Sequence, residues 1–504
     1  MWVAVACMLG FEIAWGPVGG LCMANDDIKF VRLPARDLPS LDAIAQAWRT
    51  EPSFRPLEVI MAHLSDPVSL ECPWVVPVQA AGLLALAAGT VALARLSMPG
   101  LPLMWPAALA LVLLSPATTA AVWQMDACSQ TWSAALGAWS VWLAWRWIAS
   151  SDGDRAPWWT LLALSAAVLA GLTIKENFYG WALGIAAACT VAIAVAWFRR
   201  GAVSIRAAWV LAPAALLPLA HVLCRWRWSA LPGLLGGSGE ESRYQAEFGT
   251  NLLVNAAVSV AGALGTGPFH LVLDVEASVP IRALTVVATG ALAAVTLLGV
   301  GAAIIDGSAA RGVRWPALAF AASASALSLV ATIPMPAVSE LYGLGANVGC
   351  ALLVLAAASV LWRAGDGSPR PIARGVLALA FAIVALVGTY GLVSRAMHFR
   401  VLWTAVRTMN DAIISFQPTL PATGAHPGEA AGTVHLPTSC LVGGTHSQYV
   451  MPPMQAIDTN MTEAWLARRD PTRRIVFSIS TSPRVPRASE IVIDCATMPQ
   501  HGHW

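Results

Sequence analysis

The feature that most constrains this chain is a succession of apolar runs over its first four hundred positions. They lie near 1–22, 74–96, 101–122, 129–149, 157–174, 177–198, 207–224, 251–273, 281–305, 316–336, 343–362 and 375–394. At a helix rise of about 1.5 Å per residue, roughly twenty residues match the ~30 Å hydrocarbon core of a bilayer. A soluble globule of this length needs a charged surface, about a quarter of its residues. Here only 12% are charged and 57% are hydrophobic. The chain therefore reads as an all-α polytopic membrane protein, with the lipid bilayer as its first partner. A net charge of +2 over 504 residues supplies no field of the kind that gathers nucleic acid, so that partner class is excluded.

Arginine orients the runs, because short cytoplasmic loops are enriched in basic residues. Arg199, Arg200 and Arg206 mark one such loop, Arg311 and Arg314 a second, Arg363, Arg370 and Arg374 a third, and Arg146 and Arg155 flank a fourth. If every run spanned, the loop at 306–315 would fall on the wrong side. The conflict disappears if 251–273 does not cross. That run holds Asn251, Asn255 and several glycines, and it ends in Pro268, His270, Asp274 and Glu276. We expect it to be a re-entrant or interfacial helix within an outer loop at 229–280. About eleven spans remain, with the N-terminus inside.

Residues 1–400 then form the transmembrane domain, with 24–73 as a first outer loop carrying interfacial helices. Residues 401–504 form a small mixed non-cytoplasmic domain, polar and Pro-rich, with β-like pieces at Arg474–Ser480 and Glu490–Cys495. The loops at 24–73, around 175, 225–280 and 337–342 share the outer face. The first run has no basic region before it and no small-residue cleavage site, which speaks against a cleaved signal peptide; a slight truncation at the start is compatible with this. No solenoid-type or inverted repeat is visible.

Of nine cysteines, most lie in apolar runs, as Cys189 and Cys350 do, and read as small buried hydrophobes. None has zinc-site spacing. Cys440 and Cys495 stand in the tail, where an oxidising compartment would pair them as a disulfide. The 23 tryptophans mostly fall near predicted membrane surfaces, as an aromatic belt does.

The chemistry-bearing residues gather on the outer face. Asn25-Asp26-Asp27 follows the first span, and adjacent carboxylates at a membrane surface can act as a general base or hold a metal. An ordinary polar loop start is the other reading, and by itself the pair does not rise above it. Lys175-Glu176 follows the fifth span. Of the 30 basic residues only two are lysine, Lys29 and Lys175, and an ammonium in an apolar setting needs an anion. Glu176 is one candidate partner and a lipid phosphate is the other. Arg55, within Phe54-Arg55-Pro56-Leu57, can grip a phosphate bidentately or snorkel to the interface. Asp126 caps the helix beginning near Ser129 or faces a site. Glu340 and Tyr342, after Pro334 and Pro336, serve a turn or a site.

In order along the chain, these pieces resemble the GT-C class of membrane glycosyltransferases, and within it the protein O-mannosyltransferase-like enzymes, including the transmembrane-and-tetratricopeptide group. The acidic pair after the first span matches Asp26-Asp27. The aromatic-Arg-Pro-Leu motif matches Phe54-Arg55-Pro56-Leu57. A stretch that begins at Pro, passes Trp and reaches Asp before a helix is similar to Ser115-Pro116 through Trp123 and Asp126. The family's Ser-Lys-Glu turn corresponds to Ile174-Lys175-Glu176, with Ile for Ser. Its Pro…Glu-Arg-Tyr turn corresponds to Pro336, Glu340, Leu341 and Tyr342. There Leu341 replaces the arginine, the departure that bears most on donor binding and activity. The resemblance covers roughly residues 1–400, and the tail shows no tetratricopeptide pattern.

The resemblance implies an integral protein of a bacterial inner (plasma) membrane and a polyprenyl-phosphate-linked sugar donor. It implies inverting transfer, with Asp26 as general base and Asp27 orienting it or the acceptor. Lys175 and Arg55 hold the donor phosphate, with Glu176, Asp126, Glu340 and Tyr342 lining the substrate site. Participation of a divalent metal stays open, because family members differ in it. Two other readings use the same residues. One is a transporter or flippase of a lipid-linked molecule, and the other a non-catalytic membrane scaffold whose tail binds a partner.

Overall fold

The computed structural model describes residues 1–15, 56–57, 75–123, 128–150, 157–175, 177–200, 204–227, 249–265, 279–305, 312–330, 333, 343–363, 370–422, 430–437, 463, 466–467, 470–480 and 488–493. The membrane domain is helical throughout these residues. Helix α1 covers Trp2–Trp15, α2 Val75–Ser97, α3 Met104–Leu113, α4 Pro116–Val122 and α5 Cys128–Ala149. Then come α6 at Trp159–Ile174, α7 at Phe178–Arg200, α8 at Ile205–Leu211 and α9 at Leu217–Arg227. They are followed by α10 at Asn251–Leu264, α11 at Val279–Ile305, α12 at Trp315–Leu327, α13 at Leu344–Arg363 and α14 at Arg370–Phe416.

Among the described residues, 6 helical segments are long and apolar enough to cross a bilayer. They are Pro77–Ser97, Phe178–Phe198, Ile205–Cys224, Val279–Ile305, Leu344–Arg363 and Arg374–Ser394. Shorter apolar helices of 10–17 residues complete the bundle. The chain is thus a polytopic membrane protein with an all-α spanning domain. Its outer surface is apolar, with Leu183, Val191, Leu216, Val287 and Leu297 exposed, as lipid contact requires. Helix α13 is the most enclosed crossing segment.

Local chemistry breaks two of the apolar runs. The run at 101–122 becomes α3 and α4 because Pro116 holds Ser115 extended, at φ −72° and ψ 139°; a residue before proline is kept out of the helical region. The Ser115 hydroxyl then accepts from the Ala117 N–H at 3.1 Å and caps α4, whose first position suits Pro116. Between α8 and α9, Ala212–Leu216 forms a π turn that contains Pro213, which lacks the N–H a regular ladder needs.

The bundle has two distinct ends. At one, the Arg314 N–H donates to Ser97 O at 2.7 Å, joining the end of α2 to the start of α12. A Cβ on Gly312 would sit 3.1 Å from Arg363 Nη1 at the end of α13. Arg206 Nη1 donates to Ser150 Oγ at 2.9 Å, joining α8 to the end of α5. At the other end, Gln79 of α2 reaches the end of α4, Asn177 before α7 reaches the start of α5, and Trp15 Nε1 donates to Ala396 O of α14 at 2.8 Å.

Helix α14 has 47 residues, about 70 Å at 1.5 Å per residue, more than twice the bilayer core. It starts at the arginine-bearing end and passes Trp15 at the opposite end. Its last turns then pack on the tail: Ile413, Leu420, Val434, Leu436, Leu466, Ile475 and Ile493 are buried in one continuous core. The tail carries three parallel strands, β1 Gly432–Pro437, β2 Ile475–Ser480 and β3 Glu490–Val492, in the order β2-β1-β3. Both expected β-like pieces contain strands; β1, which precedes them in the chain and lies between them in the sheet, went unforeseen. Gln417 Nε2 ties the helix to the tail by donating to Leu466 O at 2.9 Å and Arg473 O at 3.0 Å.

Tryptophan divides into two populations. Trp158, Trp159, Trp197 and Trp362 are exposed near helix ends, as a belt predicts, whereas Trp123 and Trp181 are wholly buried.

Candidate functional site

Of the candidate residues that the sequence puts on the outer face, Lys175 is the one whose setting the structure describes. Lys175 caps α6 in extended geometry, φ −155° and ψ 141°. Its N–H donates to Gly171 O at 3.1 Å, and its carbonyl accepts from Phe178 N–H at 3.1 Å. Helix α6 ends at Ile174 and α7 begins at Phe178. Gly171 permits this, because a Cβ there would lie 2.3 Å from the ring of the fully buried Phe178. Trp181, one turn on, fills the space that Gly137 of α5 leaves, where a Cβ would stand 2.4 Å from the indole. Two aromatic anchors in two glycine notches thus fix the register of α7 and the height of Lys175. Lys175 itself is half-buried.

Beside it lies a neutral buried network. Ser133 Oγ donates to Asn177 Oδ1 at 2.8 Å, and Asn177 Nδ2 donates to Gln130 Oε1 at 2.5 Å. Gln79 Nε2 donates to Ala121 O at 2.7 Å and Val122 O at 3.0 Å, satisfying carbonyls that the last turn of α4 would leave orphaned. Thr131 Oγ1 donates to Ala121 O at 3.3 Å. These bonds draw the ends of α2, α4, α5 and α7 together in an apolar setting, where an unsatisfied polar group is costly. Tyr179 hydroxyl and His221 Nδ1, on α7 and α9, are hydrogen-bonded, with ring centroids 5.7 Å apart.

The first helix reaches the same end. Phe11 stacks on Trp15 with centroids 5.3 Å apart and meets Trp123 edge-on at 6.3 Å. Between them in sequence, Glu12 is completely buried. A carboxylate inside a membrane helix is a functional candidate by default. Sequence reasoning passed over it, although it is the only acidic residue in the first apolar run.

Of the sequence-derived site residues, Lys175 is described. Asp26, Asp27, Arg55, Asp126, Glu176, Glu340 and Tyr342 lie outside the described residues, as do Cys440 and Cys495. The described residues that flank Asp126, Glu176 and Tyr342, namely Trp123, Cys128, Lys175 and Gly343, stand at this one end, as does Trp15, the last described residue before Asp26; a Cβ on Gly343 would lie 3.9 Å from Ala117 Cβ of α4. Among the described residues, no group of three or more His, Cys, Asp or Glu side chains could hold a metal ion. The residues that the sequence missed, Gln79, Gln130, Ser133, Asn177 and Glu12, share a signal: each is a polar side chain within or directly beside an apolar run.

No family model and no curated protein matches the chain. Among solved structures, ArnT from Cupriavidus metallidurans bound to undecaprenyl phosphate is similar to it, with a TM-score of 0.47 and 12% identity over 94% of this chain and 89% of that one.

Proposed function

We propose that this protein is a GT-C class glycosyltransferase, related to the protein O-mannosyltransferase-like enzymes, that moves a sugar from a polyprenyl-phosphate-linked donor to an acceptor at the membrane face bearing Lys175. The observation that carries the reading is the convergence of motif-flanking positions. The end of α1 leads to Asp26, the end of α4 and start of α5 flank Asp126, and Gly343 follows Glu340 and Tyr342. All of these stand at the end of the bundle where Lys175, in extended geometry, follows the glycine-notched end of α6.

In this mechanism Asp26 is the general base that takes the proton of the acceptor hydroxyl, and Asp27 orients Asp26 or the acceptor. The acceptor oxygen attacks the anomeric carbon in a single inverting displacement, and the bond to the lipid phosphate breaks. Lys175 and Arg55 compensate the charge that develops on that phosphate, which is where preorganised cations act most strongly. Glu176, Asp126, Glu340 and Tyr342 line the substrate side. Asp26 and the two cations face one pocket from opposite sides rather than forming a tight ion pair.

The topology that fits has about eleven spans, the N-terminus cytoplasmic, and the tail and α10 outside. Helix α10 has 14 residues, about 21 Å, less than a bilayer core. It leans on the Lys175-side end: Asn347 Nδ2 of α13 donates to Ala263 O at 2.8 Å, and Asn255 Nδ2 of α10 donates to Ile333 O at 2.9 Å. In the same picture residues 401–504 are a non-cytoplasmic domain in which Cys440 and Cys495 pair.

The test is turnover of a polyprenyl-phosphate sugar in proteoliposomes. We expect Asp26→Asn to lower transfer by at least about a hundredfold, the usual scale for a general base, with expression and insertion unchanged. Lys175→Ala should raise the donor KM more than the acceptor KM. Full activity in Asp26→Asn removes the base assignment, and movement of unconsumed donor across the bilayer makes the protein a flippase instead.

A further inference from the structure

A second feature runs from the middle of the bundle to the arginine-bearing end. A cleft of about 710 Å³ runs along α2 there. Ala88, Val91 and Ala92 of α2 form one wall, and Leu9 of α1, Leu109 of α3 and Trp139 and Trp142 of α5 the others. Trp139 Nε1 is committed to Ala85 O at 3.0 Å, so its ring presents an apolar surface. Along α2 the cleft extends from Leu84 to Arg95, about 16 Å at 1.5 Å per residue. That is about half of a ~30 Å hydrocarbon core, or the depth of one leaflet.

The cleft ends at two arginines, Arg95 and Arg314, both of them exposed residues. The Arg95 guanidinium carbon sits 4.6 Å from the Trp105 ring centroid, and the backbone bond from Arg314 to Ser97 keeps Arg314 beside the end of α2. Arg146 lies over the Trp142 wall at 5.1 Å. Among the described lining residues there is no carboxylate. An apolar slot about one leaflet deep that is lined at one end by two exposed arginines is complementary to an acyl chain ending in a phosphate.

We propose that this cleft seats an anionic glycerophospholipid of the arginine-side leaflet, one acyl chain lying against Ala88 and Ala92 and the phosphate between Arg95 and Arg314. The small side chains make room for the chain. The arginines supply the selectivity, since each basic side chain near an anionic lipid surface strengthens binding about fivefold. The site is separate from the glycosyltransferase reading, and either can fail alone.

The experiment is native mass spectrometry of the full-length protein in detergent, with phosphatidylglycerol and phosphatidylcholine of equal chain length supplied together. Phosphatidylglycerol should be retained roughly thirtyfold over phosphatidylcholine, the product of two arginine contributions. The double variant R95Q/R314Q should bring the two lipids near parity. Ala88→Phe, which fills the wall and leaves both arginines in place, should lower retention of both. Thermal unfolding verifies that each variant is folded, and Ala88→Phe decides the matter if the double variant is not. Equal retention of the two lipids by the wild type overturns the proposal, as does an unchanged preference in R95Q/R314Q. Displacement of phosphatidylglycerol by equimolar undecaprenyl phosphate also overturns it and assigns the cleft to the lipid carrier.

Discussion

The two ends of the bundle solve the problem of polar groups in a membrane in opposite ways. At the Lys175 end a network of neutral polar side chains is buried and bonded to one another or to helix carbonyls: Gln79, Gln130, Ser133 and Asn177 are all at most 7% exposed. At the arginine end the polar groups are charged and exposed, laid over tryptophan faces, as Arg95 over Trp105, Arg146 over Trp142 and Arg374 over Trp362. The first arrangement buys geometric definition, because a satisfied buried network has one low-energy arrangement. The second adapts, because a snorkelling guanidinium has many. A reacting centre needs the first kind of support and a membrane anchor the second.

The contrast should be largest in packing. Gly180 lies in the first turn of α7, and a Cβ there would stand 2.1 Å from Leu327 O, a backbone atom of α12 that cannot rotate away. Gly375, near the arginine-side start of α14, has nothing within 4 Å of the same position. Gly180→Ala should destabilise the protein by about 3 kcal/mol or more, the upper range for overpacking. Gly375→Ala should stabilise it by about 0.5–1 kcal/mol, the ordinary helix gain over glycine. Thermal unfolding of the two variants in one detergent measures both. Equal shifts of the same sign would erase the distinction between a notched end and an adaptable one.

Hydrogen bonding should give a smaller difference in the same direction. Asn177→Ala strips Ser133 Oγ and Gln130 Oε1 of their partner in a buried setting, at a cost of about 1–2 kcal/mol. Arg146→Ala removes an exposed guanidinium from a ring face and should cost less than about 1 kcal/mol. If the two substitutions proved equally costly, the buried network would be no more than another interfacial contact.

Much of this could be read from the sequence, but not all of it. The membrane class followed from run length and charge depletion, quantities that bilayer thickness fixes directly. Lys175 stood out because lysine is scarce in the chain, and the structure gives it a turn of its own. The split of 101–122 was legible in principle at Pro116, yet a run average of hydropathy hides a single proline. Strand β1 escaped notice because Gly432–Pro437 alternates too briefly to register, and its pairing with β2 and β3 spans some forty to sixty positions of sequence. Asn177 and Gln130 escaped for a related reason: a polar residue near a helix end looks like an interface residue until its distant partner is known. Glu12 was visible as a lone carboxylate in an apolar run and was overlooked beside the more conspicuous Asp26-Asp27.

The smallest expected effect lies in the tail beyond the Lys175 end, and asks whether a charge there is used locally. Asp470 accepts from Thr472 Oγ1 at 2.6 Å, from Arg473 Nη1 at 2.7 Å and from the Thr472 N–H at 3.0 Å. The Thr472 hydroxyl first, and then Arg473, hold its carboxyl below the usual carboxylate range. The turn is worth holding, because Arg473 Nε also donates to Leu420 O at 2.9 Å and its carbonyl receives Gln417, which joins the sheet to the end of α14. A folded-state pKa that is depressed contributes stability above the unfolded value and loses it as pH falls through the folded one. The wild type should therefore exceed Asp470→Asn in thermal stability at neutral pH, and the margin should shrink as pH drops through and below the carboxylate range. The group is partly exposed, with a quarter of its side chain open to solvent, so the margin at neutral pH should be well under about 1 kcal/mol. A margin that stays constant down to the acid limit would mean that the asparagine substitution acts by shape, and that the charge of Asp470 contributes nothing to the junction between helix and sheet.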